Sequence, residues 1–266
     1  MRFIPWAAPD ERELPSPDVY SLLGAADGSL WVGTRHGLFR WKDGHLTNFV
    51  DATGRINAIL EDRAGAVWIA RTRIDPPLGP MCKIADNSFR CYGAGDGLSC
   101  LYGNSLANAD NGSLWIGSSE AICNWTPASS RTYLQKELTQ TEGLTGVGAV
   151  VTKGDHIWAG MARAGKGLGL QQLIDGAWRS YTVPGLNGTT VAVNSLLIDR
   201  SNSLWVGTVD QGIYRVLDGK AEHFRSADGL SSDAVSNIYE DVEGDIWVAT
   251  SKVCWLSVKW RSDVLR

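Results

Sequence analysis

The stretch DGSLWVGT (27–34) returns in altered form as NGSLWIGS (111–118) and SNSLWVGT (201–208). Its centre is a tryptophan followed by an apolar residue and then by glycine or alanine. This anchor occurs six times in the 266-residue chain, at Trp31, Trp68, Trp115, Trp158, Trp205 and Trp247. Successive anchors lie 37 to 47 residues apart, which is about the length of one four-stranded propeller blade. The repeat therefore predicts an all-β, six-bladed β-propeller.

Turn signals divide each repeat into short strands. Asp-Gly pairs at 43–44, 175–176 and 218–219 stand between alternating apolar residues. Such a pair favours a type I′ hairpin, because both central residues of that turn need positive φ. We therefore expect four antiparallel strands per blade. The six tryptophans are predicted to pack between neighbouring sheets rather than to hold a ligand.

The two ends of the chain complement each other in this scheme. The last repeat offers only three strands, whereas RFIPW (2–6) near the start reads as one short extra strand. An N-terminal strand that joins the last blade would close the ring and remove its open edges. We expect one closed propeller domain over residues 1–266, and the alternative is a larger ring.

Composition excludes several classes of protein. The formal net charge is −4 and the basic residues form no run, which argues against a nucleic-acid partner. No stretch is apolar enough for a membrane helix. The first residues lack the apolar core of a signal peptide. The sequence thus predicts either a cytoplasmic protein or a part of a longer exported, periplasmic chain.

The units DGSLWVGTRHGLFRW (27–41) and DRSNSLWVGTVDQGIYRV (199–216) fit the pattern D-x-x-G-x-[LI]-W-[IV]-G-T-x-x-G-[LI]-x-R or come close to it. This pattern resembles the two-component regulator propeller repeat. The resemblance implies the extracytoplasmic sensor of a hybrid two-component system, which takes part in signal transduction and often reads oligosaccharides.

Candidate ligand-binding residues follow the tryptophans, in the loop between the second and third strand of each blade. Convergent arginines bind carboxylates or sulfates bidentately, so we predict a glycan or other small anionic ligand at this rim. The alternative is a solvated rim whose basic groups never converge. The predicted residues are Arg35, His36, Arg71, Arg73, Arg163, Lys166 and Lys252.

Three asparagines occupy one shared position in the repeat. Asn57, Asn104 and Asn194 each lie eleven residues before their tryptophan. On the first strands of a propeller they would line the channel mouth and present amides to a ligand. The alternative is that small and polar residues are needed where these strands crowd together, with water filling the channel.

Signals for catalysis are weak. The four histidines show no metal-ligand spacing, and there is no phosphate-cradling loop or nucleophile elbow. We predict no metal or cofactor and a non-enzymatic recognition module. A protein-interaction scaffold is the alternative. A polysaccharide or ester lyase using His36 is less well supported.

Cysteine spacing makes one further prediction. Cys82 and Cys91 flank Asp86-Asn87, which takes the hairpin position of Asp-Gly in other repeats. The two cysteines would then face each other across adjacent strands, close enough for a disulfide. Such a bond would indicate an oxidising compartment. The alternative is two thiols.

Overall fold

A computed structural model describes residues 18–49, 51–72, 79–85, 88–139 and 146–251 and the backbone of 256–258. The regular structure of these residues is almost entirely antiparallel β-sheet, which confirms the predicted all-β class. Five sheets have four strands each, laid side by side in chain order, and a sixth has three described strands. Each sheet is built on one of the six tryptophan anchors, and we call these sheets blades 1 to 6.

The strand bounds of the first three blades are as follows. Blade 1 consists of β1 (Val19–Gly24), β2 (Leu30–Thr34), β3 (Leu38–Lys42) and β4 (His45–Phe49). Blade 2 consists of β5 (Arg55–Glu61), β6 (Val67–Thr72), β7 (Met81–Ala85) and β8 (Ser88–Tyr92). Blade 3 consists of β9 (Ser105–Asn108), β10 (Leu114–Gly117), β11 (Ala121–Thr126) and β12 (Ser129–Leu134).

The remaining blades follow the same plan. Blade 4 has β13 (Val147–Lys153), β14 (His156–Met161), β15 (Leu170–Ile174) and β16 (Ala177–Ser180), followed by a small hairpin of β17 (Thr182–Val183) and β18 (Leu186–Asn187). Blade 5 has β19 (Val193–Ile198), β20 (Leu204–Thr208), β21 (Ile213–Leu217) and β22 (Lys220–Phe224). Blade 6 has β23 (Val235–Glu240), β24 (Ile246–Thr250) and β25 (Leu256–Val258). The described helical segments are short: α1 (Lys136–Thr139) and 3-10 turns at Ala94–Asp96, Gly188–Thr190 and Ser226–Asp228.

The described residues form two compact units. The first runs to residue 108 and adds 113–118 and 123–132, and the second holds the others. Blades 1 and 2 and most of blade 3 thus belong to the first unit, and blades 4 to 6 belong to the second. The predicted closing strand at residues 2–6 lies outside the described residues. The single domain, the number of blades in the ring and its closure stay predictions.

The Asp-Gly hairpins fold as their sequence predicts. Asp43 and Gly44 have φ of 49° and 82°, and Asp175-Gly176 and Asp218-Gly219 take almost the same values. Positive φ at both central residues is the signature of a type I′ turn, which matches the right-handed twist of the flanking strands. The predicted turn at Asp86-Asn87 falls outside the described residues.

The tryptophan anchor packs between blades, as predicted. Trp205 is 2% exposed and packs with apolar residues of β23 and β24 in the next blade. Its indole Nε1 donates to Asp199 Oδ2 at 2.8 Å, and the guanidinium of Arg215 lies 5.6 Å from the ring centroid. Trp31, Trp68 and Trp115 are buried to a similar extent. The Asp–Trp bond recurs at Asp62–Trp68 and Asp241–Trp247.

A close contact with the next blade explains why glycine or alanine stands two residues after the tryptophan. A Cβ on Gly160 would lie 2.4 Å from Val193 Cγ1 at the start of the next blade. Where this position carries Ala70 instead, the facing residue of the next blade is Gly103, whose own Cβ would lie 2.7 Å from Ala70 Cβ. Because these two positions touch, at least one of each pair must be small.

This complementarity makes a testable prediction. Gly160→Ala is expected to destabilise the protein by about 1–3 kcal/mol, because the added methyl overpacks the contact with Val193. Chemical denaturation measures the effect. In the double variant Gly160→Ala/Val193→Ala, the free energy of unfolding should fall by less than the sum of the decreases in the two single variants. Strict additivity would show that the two residues do not compete for the same space.

Candidate ligand-binding site

Five of the six first strands carry a β-bulge at one shared position. The register with the second strand shifts between Val19 and Ser21 in β1, and equivalent shifts occur in β5, β13, β19 and β23. The residues inside the bulges include Tyr20, Asn57 and Asn194. A bulge leaves its extra residue unpaired and re-aims its side chain. The bulges lie at the end of each blade where the loop between the second and third strands also lies, and we call this end the loop face.

Asn57 links three consecutive first strands of the first unit. Its Nδ2 donates to the carbonyl oxygen of Gly103, just before β9, at 2.7 Å. Its Oδ1 accepts a 2.7 Å hydrogen bond from Arg55 Nε, and the Arg55 guanidinium lies 4.9 Å from the ring centroid of Tyr20 on β1. The Asn57 amide is therefore occupied by the protein, and its effect is to hold Arg55.

Arg55 is the best-placed anion-binding group of the first unit. Its Nε is bonded to Asn57 and its plane rests on Tyr20, so the side chain is held in one orientation. The two terminal nitrogens have no hydrogen-bond partner among the described residues, and the residue is half-buried. An immobilised guanidinium with free terminal nitrogens suits bidentate recognition of a carboxylate. The prediction from sequence omitted both Arg55 and Tyr20.

Two predicted rim residues, Arg35 and His36, lie on the exposed loop after β2. Arg35 Nη1 is 3.8 Å from Asp18 Oδ2, and the two side chains are 61% and 51% exposed. An ion pair this long and this solvated holds neither side chain firmly. The His36 side chain is exposed, and its backbone N–H donates to Thr34 Oγ1. Both residues remain candidates for contact with a ligand.

Arg71 is a correction to the predicted rim. It is 1% exposed, and its Nε and Nη1 each donate at 3.0 Å, to the carbonyl oxygens of Gly79 and Thr53 respectively. Burial lowers the pKa of its guanidinium. Arg71 lies three residues after its tryptophan, where Thr34 and Thr208 also bond the carbonyl that closes the loop. Its side chain is therefore buried against the backbone of these loops instead of lying exposed at the predicted rim.

Asn194 differs from a free amide lining, whereas the side chain of Asn104 stays a candidate for contact with a ligand. Asn194 Nδ2 donates to the carbonyl oxygen of Val235 at 3.1 Å, so it links β19 to β23 as Asn57 links β5 to the segment before β9. Asn104 is half-buried, and its backbone N–H donates to the Gly117 carbonyl. The shared position of Asn57 and Asn194 therefore serves the contact between neighbouring blades.

The other predicted residues belong to the second unit or fall outside the described residues. Arg163 is half-buried and Lys166 is exposed, both in the glycine-containing loop between β14 and β15. The Arg163 carbonyl accepts a hydrogen bond from Gly169 N–H, which fixes the loop backbone. Arg73 and Lys252 lie outside the described residues.

Two disulfides lie in the first unit. Cys82 and Cys91 pair across β7 and β8, so the disulfide alternative is the one present. A second bond joins Cys100 to Cys123, a pair that the sequence prediction did not make. Cys100 precedes Leu101 and Tyr102, which are 71% and 43% exposed on the loop into blade 3. The second disulfide therefore ties an apolar, aromatic loop to the sheet.

Within the described residues, side-chain oxygens that could hold a metal ion lie close together at one hairpin of blade 6. Asp241, Glu243 and Asp245 are the one group of three such side chains brought together in the described part of the chain. The Asp241 carboxylate accepts hydrogen bonds from two backbone N–H groups and from the Trp247 indole. These bonds lower the pKa of Asp241, with the Trp247 bond as the largest cause. They account for the position of this carboxylate without a metal.

Repeated antiparallel blades, each built on a buried or half-buried tryptophan, define a protein of the propeller class. Residues 13–36 and 229–252 match the family model of the two-component regulator propeller. This match confirms the resemblance indicated by the repeat, and the two segments carry the repeat of that family. No curated protein sequence matches the chain.

Solved structures share the fold at low sequence identity. The extracellular domain of a putative hybrid two-component system from B. thetaiotaomicron matches with TM-score 0.69 and 17% identity over 92% of this chain and 34% of that one. PorZ, a surface component of the type-IX secretion system of Porphyromonas gingivalis, matches with TM-score 0.65 and 16% identity over 91% of this chain and 38% of that one. A streptogramin B lyase matches with TM-score 0.69 and 13% identity over 95% of this chain and 86% of that one. The chain thus spans about a third of the sensor and secretion structures. No helix within the described ranges is long and apolar enough to cross a membrane.

Proposed function

We propose that this chain is a non-enzymatic ligand-recognition module that works as the sensor of a signalling system. Its ligand is a glycan or other small anionic molecule bound at the loop face of the first unit. The observation that carries the proposal is Arg55, held by Asn57 and Tyr20 with its terminal nitrogens free. The repeat family and the likeness to an extracellular sensor domain support the signalling role.

The disulfides support an extracytoplasmic location for this module. Both bonds are placed by strands or loops of the first unit, and each brings its two sulfur atoms within bonding distance. Disulfides persist in oxidising compartments and are rare in the cytosol. Of the two locations that the sequence leaves open, we therefore propose the periplasm or cell surface.

The proposal is tested by thermal shift with acidic and neutral oligosaccharides. At about 100 times its dissociation constant, a ligand adds about 2.7 kcal/mol of stability and raises the melting temperature. We expect a rise with a uronate oligosaccharide and none with its neutral counterpart. Arg55→Ala should abolish the rise, and Arg55→Lys should retain only part of it, because an ammonium lacks the guanidinium fork.

The matched control is Arg179→Ala, which removes an exposed arginine from β16 in the second unit. This variant should keep the full ligand-induced shift. An undiminished shift in Arg55→Ala would contradict the proposed site. Turnover of uronate polymers or esters by the wild-type protein would contradict the non-enzymatic assignment, which matters because lyase and lactonase propellers share the fold.

A protein-interaction scaffold is the second candidate, and one observation favours it. Leu101 and Tyr102 form an exposed apolar pair on the same loop face, and tyrosine is enriched at protein interfaces. In that case a protein partner, rather than an oligosaccharide, would protect these two side chains. Binding of an acidic oligosaccharide that depends on Arg55 would decide for the sensor.

A further inference from the structure

The residue two positions before the bulged residue of each first strand occupies one shared place on the loop face. In the second unit this place holds only small residues, Gly146, Ala192 and Ala234. In the first unit it holds Asp18 and Arg55, and the same spacing before Asn104 gives Tyr102. Side chains able to contact a ligand at this place are therefore concentrated in the first unit, where Arg55 and Tyr102 belong to neighbouring blades.

Three contacts hold the backbone of the Tyr102 loop. Gly103 N–H donates to the Arg71 carbonyl at 3.0 Å, and the Gly103 carbonyl accepts the 2.7 Å bond from Asn57 Nδ2. The Cys100–Cys123 disulfide ties the other side of the loop to β11, where Cys123 is fully buried. The loop is thus held rigidly while Tyr102 stays 43% exposed. An exposed side chain on a rigid loop can bind with a small loss of conformational entropy.

Asn57 connects this loop to Arg55. The same amide that accepts from Arg55 Nε donates to the residue next to Tyr102. Arg55 and the backbone beside Tyr102 are consequently held by one side chain, near the start of two adjacent first strands. One group offers paired N–H donors for a carboxylate, and the other offers a flat apolar face with a hydroxyl at its edge.

We infer that Tyr102 is a specificity-determining residue of this site, which selects carboxylates carried on a ring, and that the Cys100–Cys123 disulfide positions it. The ring stacks on Tyr102 while its carboxylate is bound by Arg55. The inference rests on the proposed function, because it assigns a second contact to the same ligand. The ring can be that of a sugar acid, which presents an apolar C–H face, or of an aromatic acid, which presents a flat apolar face.

The test compares dissociation constants for three carboxylates by calorimetry. A glucuronate oligosaccharide and benzoate carry the group on a ring, whereas gluconate is acyclic. We expect the wild-type protein to bind at least one ring carboxylate about fivefold or more tightly than gluconate, which is the range of an aromatic stacking contact. The two ring probes distinguish a sugar acid from an aromatic acid.

Substitutions at Tyr102 decide the inference. Tyr102→Ala should remove the preference for a ring and leave gluconate binding unchanged, whereas Tyr102→Phe should keep the preference. The matched control is Tyr239→Ala, which removes a 54% exposed tyrosine from the second unit. An unchanged preference in Tyr102→Ala would overturn the inference, and so would equal binding of ring and acyclic probes by the wild type.

The disulfide is tested by the double variant Cys100→Ser/Cys123→Ser. We expect it to bind gluconate like the wild type but to lose at least half of the ring preference. A full ring preference in this variant would refute the positioning role of the disulfide. Should the variant fail to fold, the wild type is reduced with a dithiol during the titration, and Cys82→Ser/Cys91→Ser without reductant serves as the control for loss of the other disulfide.

The outcomes separate the two proposals. Binding that depends on Arg55 but not on Tyr102 overturns the inference and leaves the proposed function standing. If none of the three carboxylates and no uronate oligosaccharide binds the wild type, or if binding survives Arg55→Ala, both fail together.

Discussion

Replacing Arg71 by alanine is expected to lower the free energy of unfolding by about 3–5 kcal/mol, although the sequence predicted this residue at a ligand-binding rim. The side chain is 1% exposed, so its removal leaves a cavity in the loop face of blade 2. It also leaves the buried carbonyl oxygen of Gly79 without its Arg71 donor, and an unsatisfied buried acceptor costs about 1–3 kcal/mol. Denaturant titration with an unchanged slope would measure the loss.

Arg35→Ala is the matched control for this prediction. Arg35 follows the same kind of strand in blade 1 but is 61% exposed, and its removal should change stability by less than about 0.5 kcal/mol. The stability of Arg71→Lys should lie between that of the wild type and that of Arg71→Ala, because one ammonium group cannot reproduce the guanidinium fork that spans the Gly79 and Thr53 carbonyls. Equal stability of Arg71→Ala and Arg35→Ala would show that Arg71 is solvated as the sequence suggested.

Trp205→Ala is expected to lower the free energy of unfolding by as much as Arg71→Ala, about 3–5 kcal/mol. The indole is 2% exposed and fills the contact between β20 and the next blade, against Ile238 and Ile246. Trp205→Phe keeps most of this packing but leaves Asp199 Oδ2 without its indole donor, so we expect about 1–3 kcal/mol from that change alone.

The comparison for Trp205 is Trp178→Ala. Trp178 is half-buried on the outer strand β16 and does not follow the anchor pattern. In denaturant titrations of both variants, Trp178→Ala should lower the free energy of unfolding clearly less than Trp205→Ala. A Trp205→Ala variant no less stable than Trp178→Ala would contradict the packing role assigned to the repeat.

The features that could be predicted from the sequence are those set by local chemistry or by a repeated contact. Asp43-Gly44 specifies its turn because few other residues accept positive φ at both positions. The tryptophan anchor recurs because each blade makes the same contact with the next. Cys82 and Cys91 could be paired because a hairpin brings them opposite each other.

The site was harder to predict because it depends on burial and on bulges. Arg71 and Arg35 both lie close after a tryptophan, but Arg71 takes the inward-facing position of Thr34 and meets the carbonyl of Gly79. Aligning the repeats three residues past each tryptophan would have shown that Arg71 replaces a loop-bracing threonine. Arg55 was missed because a bulge, which has no signature in one sequence, places Asn57 where it can hold the guanidinium. Cys100 and Cys123 lie on a loop and on a third strand, so no local pattern pairs them.

The most direct measurement is a crystal structure of the protein with a uronate oligosaccharide. The account predicts a carboxylate within hydrogen-bond distance of both terminal nitrogens of Arg55, on the loop face of the first unit. A ligand bound instead at Arg163 and Lys166 in the second unit, with Arg55 facing only solvent, would contradict it.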